Sequence, residues 1–296
     1  MLSIIICSIS PEYLQQVTQN IYDTIGVECE VIGVDNRNEN FPIAHVYNEG
    51  ARKAQYPFLF FVHEDVKFYS QDWGRVIEEK LSQPDCGIIG FAGCKVKLRT
   101  YSGWGQDKRW ACTLFYQVKR GTSLLHAMNV ISGKDFEEVV SVDGLGMFVR
   151  KEVWEKHPFD EEMLTGFHCY DLDFSLQIAS TGQYRNYVCT SPKVLIEHFS
   201  EGNYNRNWCQ ETIRLHDYKW TKILPLMAEG VTLSNKEVKY HEERCFNRFV
   251  CKMLKTDYSE KWTVLKAFIL YPQYSWKHLW HCISNLSKYI IASFNK

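Results

Sequence analysis

The chain opens on a short β-branched run, Ser3 to Ser8, that breaks at Ser10-Pro11-Glu12. A small polar cap, a proline and an early acid mark a helix start. Leu14, Val17, Ile21 and Ile25 then recur at helical spacing. A second strand, Glu28 to Val34, runs into the polar stretch Asp35-Asn36-Arg37-Asn38. A helix is expected through Ala44 to Ala54, followed by the apolar run Pro57 to Val62, which stops abruptly at His63-Glu64-Asp65. Strand alternating with helix predicts a largely parallel sheet covered on both faces. Ligands of such sheets sit at the carboxyl ends of strands, where Asp35 and His63-Glu64-Asp65 fall.

Gly87 to Cys94 reads as one further buried strand, and Lys95 to Lys134 as an aromatic, glycine-containing, basic insertion of short strands and irregular structure. Val139 to Arg150 is strand-like but interrupted by Gly144 and Gly146, a pattern that marks close approach by a ligand or another backbone. Asp171 to Ala179 reads as a helix with acids in its first turn, and Val194 to Ile196 as a strand ending at Glu197-His198. After about Asn207 the pattern is helical only, which divides the chain into an α/β domain over 1–206 and a helical region over 207–296. Ser234 and Glu237 form a capping box, and Cys245, Phe246, Phe249, Val250, Met253 and Leu254 share one face. Pro272 separates two further aromatic helices.

The 296 residues carry 34 Lys plus Arg and 35 Asp plus Glu, a formal net charge of −1, with 45% hydrophobic and 23% charged positions. That composition excludes wholesale disorder, and the near-neutral balance argues against a dedicated nucleic-acid binder. The eleven cysteines lie at irregular spacings without a CxxC pair, so buried reduced thiols are expected. No apolar run reaches the ~18 residues of a membrane span. The start, MLSIIICSIS, lacks a basic leader and a cleavage site, so a cytosolic chain is expected. Charge is uneven: Arg244 to Lys296 holds nine basic and two acidic residues, 9 − 2 = +7, leaving −8 elsewhere.

Three places carry candidate chemistry. Carboxylates at the end of a hydrophobic strand, Glu64 and Asp65, are costly to bury unless a cation or ligand meets them. A divalent ion on a diphosphate needs only one or two carboxylates beside the phosphate oxygens. Asp171 and Asp173 stand at a helix start, where one could accept a proton and the other cap the helix. His198 stands at another strand end.

Taken together, SIIICSIS, VIGVDN, Asn48-Glu49-Gly50-Ala51, FLFFVHEDV, VDGLGMFVRKEVW and FDEEMLTGFHCYDLDFSLQ resemble, in that order, family-2-like glycosyltransferases with the GT-A fold. The branch named after a streptomycin-biosynthesis protein, typical of bacterial capsule and polysaccharide loci, looks most similar, over about residues 3 to 205. The resemblance implies a GT-A α/β fold with a helical C-terminal appendage. It sets His63-Glu64-Asp65 in place of the family's Asp-x-Asp motif, with Asp65 as metal and diphosphate residue and His63 replacing the first Asp. Asp35 and Asn36 would meet the nucleobase or ribose, Ser8, Asn48 and Glu64 would lie near the donor, and Asp143-Gly144 beside the transferred sugar. Asp171 matches the catalytic base of a Glu-Asp pair whose Glu is replaced by Tyr170, and His198 matches a late histidine that completes some metal sites.

The implied activity is transfer of a sugar from a nucleotide-diphosphate donor to a glycan or lipid-linked hydroxyl, with inversion and a Mn2+ or Mg2+ cofactor. The physics suits it, because a cation stabilises the leaving diphosphate and a carboxylate opposite takes the acceptor's proton. A non-catalytic nucleotide-sugar-binding relative is the alternative that His63 and Tyr170 leave open. A nucleotidyltransferase would want a glycine-rich loop after the first strand, which Ser8-Ile9-Ser10-Pro11 is not. The basic, Trp- and Tyr-containing stretch 244–296 admits two readings: a helical appendage whose aromatics pack on the catalytic domain with its lysines solvated, which aromatic stripes at helical spacing favour, or peripheral contact with anionic lipid at the inner face of a membrane.

Overall fold

The computed structural model describes residues 1–253 except Gln106, Glu201 and Asn203, together with Lys255, Thr256, Trp280, Ser284 and Ser287. The expectation of aromatic helices around Pro272, and most of the 244–296 stretch, lie outside the described residues. Two compact units result, the first comprising 1–97, 104–202 and 226–231, the second 98–103, 203–225 and the residues from 232 onward.

The first unit begins β1 (Leu2–Ser8), α1 (Pro11–Thr24), β2 (Cys29–Asp35), α2 (Ile43–Lys53), β3 (Phe58–His63) and β4 (Val66–Phe68). Ser10 caps α1 through its side chain, which accepts from Tyr13 N, as its sequence promised. After α3 (Trp73–Leu81) come β5 (Cys86–Gly90), β6 (Ala92–Cys94), β7 (Val96–Lys97), and the hairpin β8 (Ala111–Lys119) and β9 (Thr122–Met128). Then follow β10 (Phe136–Val139), β11 (Ser141–Val142), β12 (Gly146–Arg150), α4 (Lys151–Lys156), α5 (Tyr170–Ala179), β13 (Arg185–Cys189) and β14 (Ile196–His198). Seven strands form the main sheet in the order β10-β13-β5-β12-β3-β1-β2. Within it β1, β2, β3, β5 and β13 run parallel, whereas β12 and β10 run against their neighbours. This is the α/β arrangement expected of a GT-A fold.

The central strand β3 shows why its run is continuously apolar: both faces are covered. Phe60 stacks on Phe148 with ring centroids 3.8 Å apart and meets Phe68 and Trp73. On the opposite face Phe61 meets Tyr47 of α2, Phe159 and Phe174 of α5. A second sheet has the order β11-β6-β8-β14-β4, with β9 on β8. The expected single strand Gly87 to Cys94 is therefore two strands in two sheets, divided at Phe91, because strands can turn a corner from one sheet to the next. Val139 to Arg150 is likewise divided among β10, β11 and β12. The chain is not wholly helical after Asn207: a short strand, β15 (Leu226–Met227), pairs antiparallel with β7.

The second unit packs α6 (Arg206–Tyr218), a 3-10 turn at Trp220–Lys222 and α7 (Asn235–Met253). Its interior is aromatic, with Tyr101 against His216, Phe246 and Phe249, and Trp208 against Phe249. The capping box is present, since Glu237 N donates to Ser234 Oγ and Ser234 N to Glu237 Oε2. Among the described residues, no helix is long and apolar enough to cross a membrane.

Candidate functional site

His63, Glu64 and Asp65 form the link by which the chain leaves the main sheet at β3 and enters the second sheet at β4. Strand β14 pairs antiparallel with β4, placing His198 opposite Val66, and the Phe199 amide donates to the Asp65 carbonyl. Residues 133 positions apart in sequence thus meet through sheet register. His198 Nε2 lies 3.5 Å from Asp65 Oδ1, and His63 Nδ1 lies 3.8 Å from the same oxygen. One ligand atom from each of the three lies within 4.8 Å of the others. Two imidazoles and a carboxylate fit a divalent transition ion in number, spacing and donor chemistry.

The histidines are held from behind. Strand β14 runs parallel to β8 and sets His198 opposite Gln117. Gln117 Nε2 donates to the carbonyls of His198 and Ser200 at 3.1 and 2.7 Å, which turns Oε1 toward His198 Nδ1 at 3.2 Å. His63 Nε2 sits 2.8 Å from the hydroxyl of Tyr170, which itself donates to the Gly144 carbonyl at 3.0 Å. Burial holds His63 below the usual imidazole range, against the opposing pull of the Asp65 charge. A neutral imidazole is the ligating form. Burial would raise the Asp65 carboxyl, but the His198 hydrogen bond and the two imidazoles outweigh it and hold it well below the usual carboxylate range.

A second carboxylate group adjoins this one. Asp171, in the first turn of α5, accepts a hydrogen bond from Gly144 N at 3.1 Å, and Asp143 accepts from Leu145 N at 3.0 Å. Loss of hydration, then the Asp143 charge, pushes the Asp171 carboxyl up to about 7. Asp173 is wholly buried, and Gln177 Nε2 donates to it at 2.7 Å. Gly144 must be glycine here: a Cβ would lie 2.2 Å from the Tyr170 hydroxyl oxygen. Three hydrogen bonds therefore run from His63 through Tyr170 and Gly144 to Asp171.

The remaining sequence candidates fall into different settings. Glu64 turns to the β1–α1 junction, where Ser8 Oγ donates at 2.5 Å and the amides of Ile9 and Ser10 at 3.2 and 3.1 Å. Asp35 is exposed at the end of β2, and hydrogen bonds from Arg37 bring its carboxyl down to about 2. Asn36 is buried, closing its loop through bonds to Phe41 N and O, both 2.9 Å. Asn48 departs from its expected setting near a ligand. It is 1% exposed, and its amide is used up by Trp154 Nε1, Phe159 N, Phe159 O and Glu161. Its role here is to tie α2 to the 159–161 segment. Gln117 escaped the sequence reading because nothing in a β-hairpin marks which side chain will back a histidine 81 residues away. His63 and Tyr170 were visible only as departures from a pattern.

A family model described as "Glycosyltransferase like family" matches residues 3–222. A search of curated proteins returns no match. Similar solved structures include S. aureus TarS 1–349 in complex with UDP, 12% identical over 88% of this chain and 73% of that one, TM-score 0.49. The Pyrobaculum calidifontis mannosyltransferase PcManGT in complex with GDP-Man and Mn2+ is 13% identical over 100% of this chain and 86% of that one, TM-score 0.49. GalNAc-T7 with UDP, GalNAc and Mn2+ is 9% identical over 86% and 56%, TM-score 0.49. The family match takes in β1, the His63–Asp65 link, the Asp143–Asp171 carboxylates and His198, and by it the chain belongs to the glycosyltransferase-like family.

Proposed function

We propose that this protein transfers a sugar from a nucleoside diphosphate donor to a hydroxyl acceptor with inversion, in the streptomycin-biosynthesis-protein-type branch that serves bacterial capsule and polysaccharide assembly. The observation that carries the proposal is the run of three hydrogen bonds joining the His63–Asp65–His198 cluster to Asp171. Displacing a diphosphate from a sugar needs positive charge where the phosphate departs and a proton acceptor on the opposite side. His63, Asp65 and His198 would hold a divalent cation, which when bound supplies that positive charge. Asp171, with its carboxyl near 7, accepts the acceptor's proton at neutral pH. Attack from the base's side, in line with the leaving group, inverts the anomeric carbon. Asp143 and Gly144 border the sugar, Ser8 and Glu64 the diphosphate, and Asp35 and Asn36 the nucleoside. Asn48 supports this wall from within. In this reading residues 1–206 carry transfer, 207–296 form a helical appendage, and the acceptor is a glycan or a lipid-linked one.

The test is a panel of UDP-, GDP- and dTDP-sugars offered with Mn2+, following thermal stability and release of nucleoside diphosphate. A donor raises the melting temperature because it binds only the folded chain. The proposal expects at least one panel member both to stabilise the protein and to be slowly hydrolysed in the absence of acceptor. Stabilisation without turnover, in the presence of diverse hydroxyl acceptors, would instead favour a binding protein.

A further inference from the structure

The hairpin of β8 and β9 gathers most of the exposed aliphatic surface. Among the described residues six large non-aromatic hydrophobic side chains are exposed, and four of them fall within eight consecutive positions: Leu124 at 48%, Leu125 at 50%, Val130 at 40% and Ile131 at 53%. Strand β9 is an edge, paired among the described residues only with β8. Strand β8 meets β6 at Ala111 to Thr113 and β14 at Tyr116 and Gln117, so from Val118 to Ser123 the hairpin is a ribbon with no third strand beside it. Leu124 pairs with Gln117 and Leu125 with Tyr116, which puts the two leucines on opposite faces of the ribbon. Edge strands facing water are usually blunted by lysine, proline or a bulge. Thr122 to Met128 has neither residue, and its register on β8 is unbroken.

Charge is segregated in the same place. Residues 108–134 hold five basic residues, Lys108, Arg109, Lys119, Arg120 and Lys134, and no acid. Lys134 is engaged by Glu137 at 3.2 Å, and the other four frame the apolar strip. Lys119 and Arg120 sit at the turn, where Arg120 and Gly121 take φ of 51° and 76°, the handedness a two-residue hairpin prefers. Lys108 and Arg109 sit at the base, where the Asn129 side-chain amide donates to both of their carbonyls at 3.1 Å. Arg109 also reaches Asp107 at 3.4 Å, so the turn is the more strongly basic end.

We propose that the outer edge of β9 is a docking strip for an anionic lipid surface, with Leu124, Leu125, Val130 and Ile131 entering the headgroup boundary and the basic pairs at both ends meeting lipid phosphates. A flat protein partner covers one face of a ribbon, whereas a lipid boundary surrounds its edge and accepts apolar side chains from both faces. Strand β9 is ~20 Å long at about 3.3 Å per residue, so it lies along the surface instead of crossing a hydrocarbon core. At that depth water and headgroups still satisfy the edge's backbone groups, which hydrocarbon would not. Antiparallel pairing of β9 with a second copy would set the basic turn of each chain beside the basic base of the other, an arrangement like charges oppose. Gln117, which backs His198, belongs to the same hairpin, so docking holds the cluster at a lipid surface. That consequence for the acceptor rests on the donor reading above; the docking does not.

The experiment uses the full chain and amide hydrogen exchange read peptide by peptide. Vesicles of phosphatidylcholine containing phosphatidylglycerol should slow exchange across 119–131, vesicles of phosphatidylcholine alone should not, and the protection should fade as salt rises. Lys119→Gln with Arg120→Gln should weaken vesicle partition by about 30-fold. Leu124→Ser with Leu125→Ser should weaken it by about 10–100-fold at an unchanged melting temperature, because both side chains are already exposed. Leu125→Trp should strengthen it, since tryptophan favours the headgroup level. Other basic segments add to vesicle affinity, so the place of protection decides, and protection confined to 244–296 overturns the proposal. Equal protection by soluble dextran sulfate, indifferent to the Leu→Ser changes, overturns it in favour of an acidic polymer. Protection of 122–128 that grows with protein concentration in the absence of lipid overturns it in favour of a second copy. Calorimetry with UDP and GDP in the presence of Mn2+ keeps the two readings apart. Nucleotide affinity should be the same in every hairpin variant, and binding of neither nucleotide by a wild-type chain that still shows vesicle protection overturns the donor reading alone.

Discussion

Replacing Asp171 by Asn keeps the shape of the side chain, and its amide oxygen can still accept the Gly144 N–H that the carboxylate accepts at 3.1 Å. What it removes is basicity. The rate should fall by about 10²–10⁴ with donor affinity little changed, because a general base acts in the transition state. The pH dependence carries more information. Wild-type kcat/KM should climb about tenfold per pH unit below about 7, where Asp171 is protonated, and level off above it. The variant should lack that limb. Stability moves the other way. The folded carboxyl lies at about 7 against a reference of 3.8, so the native state holds the extra proton between those values. Wild-type stability therefore falls as pH rises through that window, by at most about 4 kcal/mol at 1.36 kcal/mol per tenfold, part of it owed to Asp143. Asp171→Asn should be more stable than wild type at pH 8 by roughly 1–4 kcal/mol and no more stable at pH 4 and below. The assays are nucleoside diphosphate release across pH and urea denaturation at the two pH extremes. A variant that turns over like its parent, or a wild-type profile flat through pH 7, refutes the assignment of Asp171 as base.

Other outcomes follow from the same geometry. Gly144→Ala, whose Cβ would crowd the Tyr170 hydroxyl, should destabilise by about 1–3 kcal/mol and lower both cation affinity and turnover; calorimetry and rates would read it. Phe60→Ala removes a ring packed on Phe148, Phe68 and Trp73 and should cost about 3–5 kcal/mol in urea unfolding, with no effect on the pH profile of the folded enzyme. The intact chain should sediment with anionic vesicles at low ionic strength and be released as salt rises, and replacing Lys261, Lys266, Lys277 and Lys288 by Gln should abolish this. Absence of sedimentation by the intact chain would leave 244–296 without a lipid role.

Much of the first unit is legible in its sequence because strands buried on both faces read as unbroken apolar runs. Ser3 to Ser8 and Pro57 to Val62 announce β1 and β3, and the abrupt polar stop at His63 marks the strand end beside which Asp65 lies. The switch of sheet at Phe91 is not legible, since Gly87 to Cys94 is uniformly apolar and buried whichever sheet it joins. Strand β13, Arg185–Cys189, shows too few alternating residues to stand out before its neighbours β5 and β10 are known. Asn48 is harder still. A polar residue in an amphipathic helix looks available, and only the fold reveals Trp154 and Phe159 consuming its amide. The pairing of Gln117 with His198 depends on register between strands from distant parts of the chain, which no local pattern encodes.

The most direct test of the account asks whether a nucleoside diphosphate sits at the His63–Asp65–His198 cluster. With Mn2+ bound to the chain, the phosphorus resonances of UDP or GDP report their distance from the ion through paramagnetic broadening. The account predicts strong broadening of both phosphorus signals beyond that seen with Mn2+ and nucleotide alone, and its loss in Asp65→Ala at equal protein concentration. Broadening that persists unchanged in Asp65→Ala, or none above the protein-free control in the wild type, would contradict it.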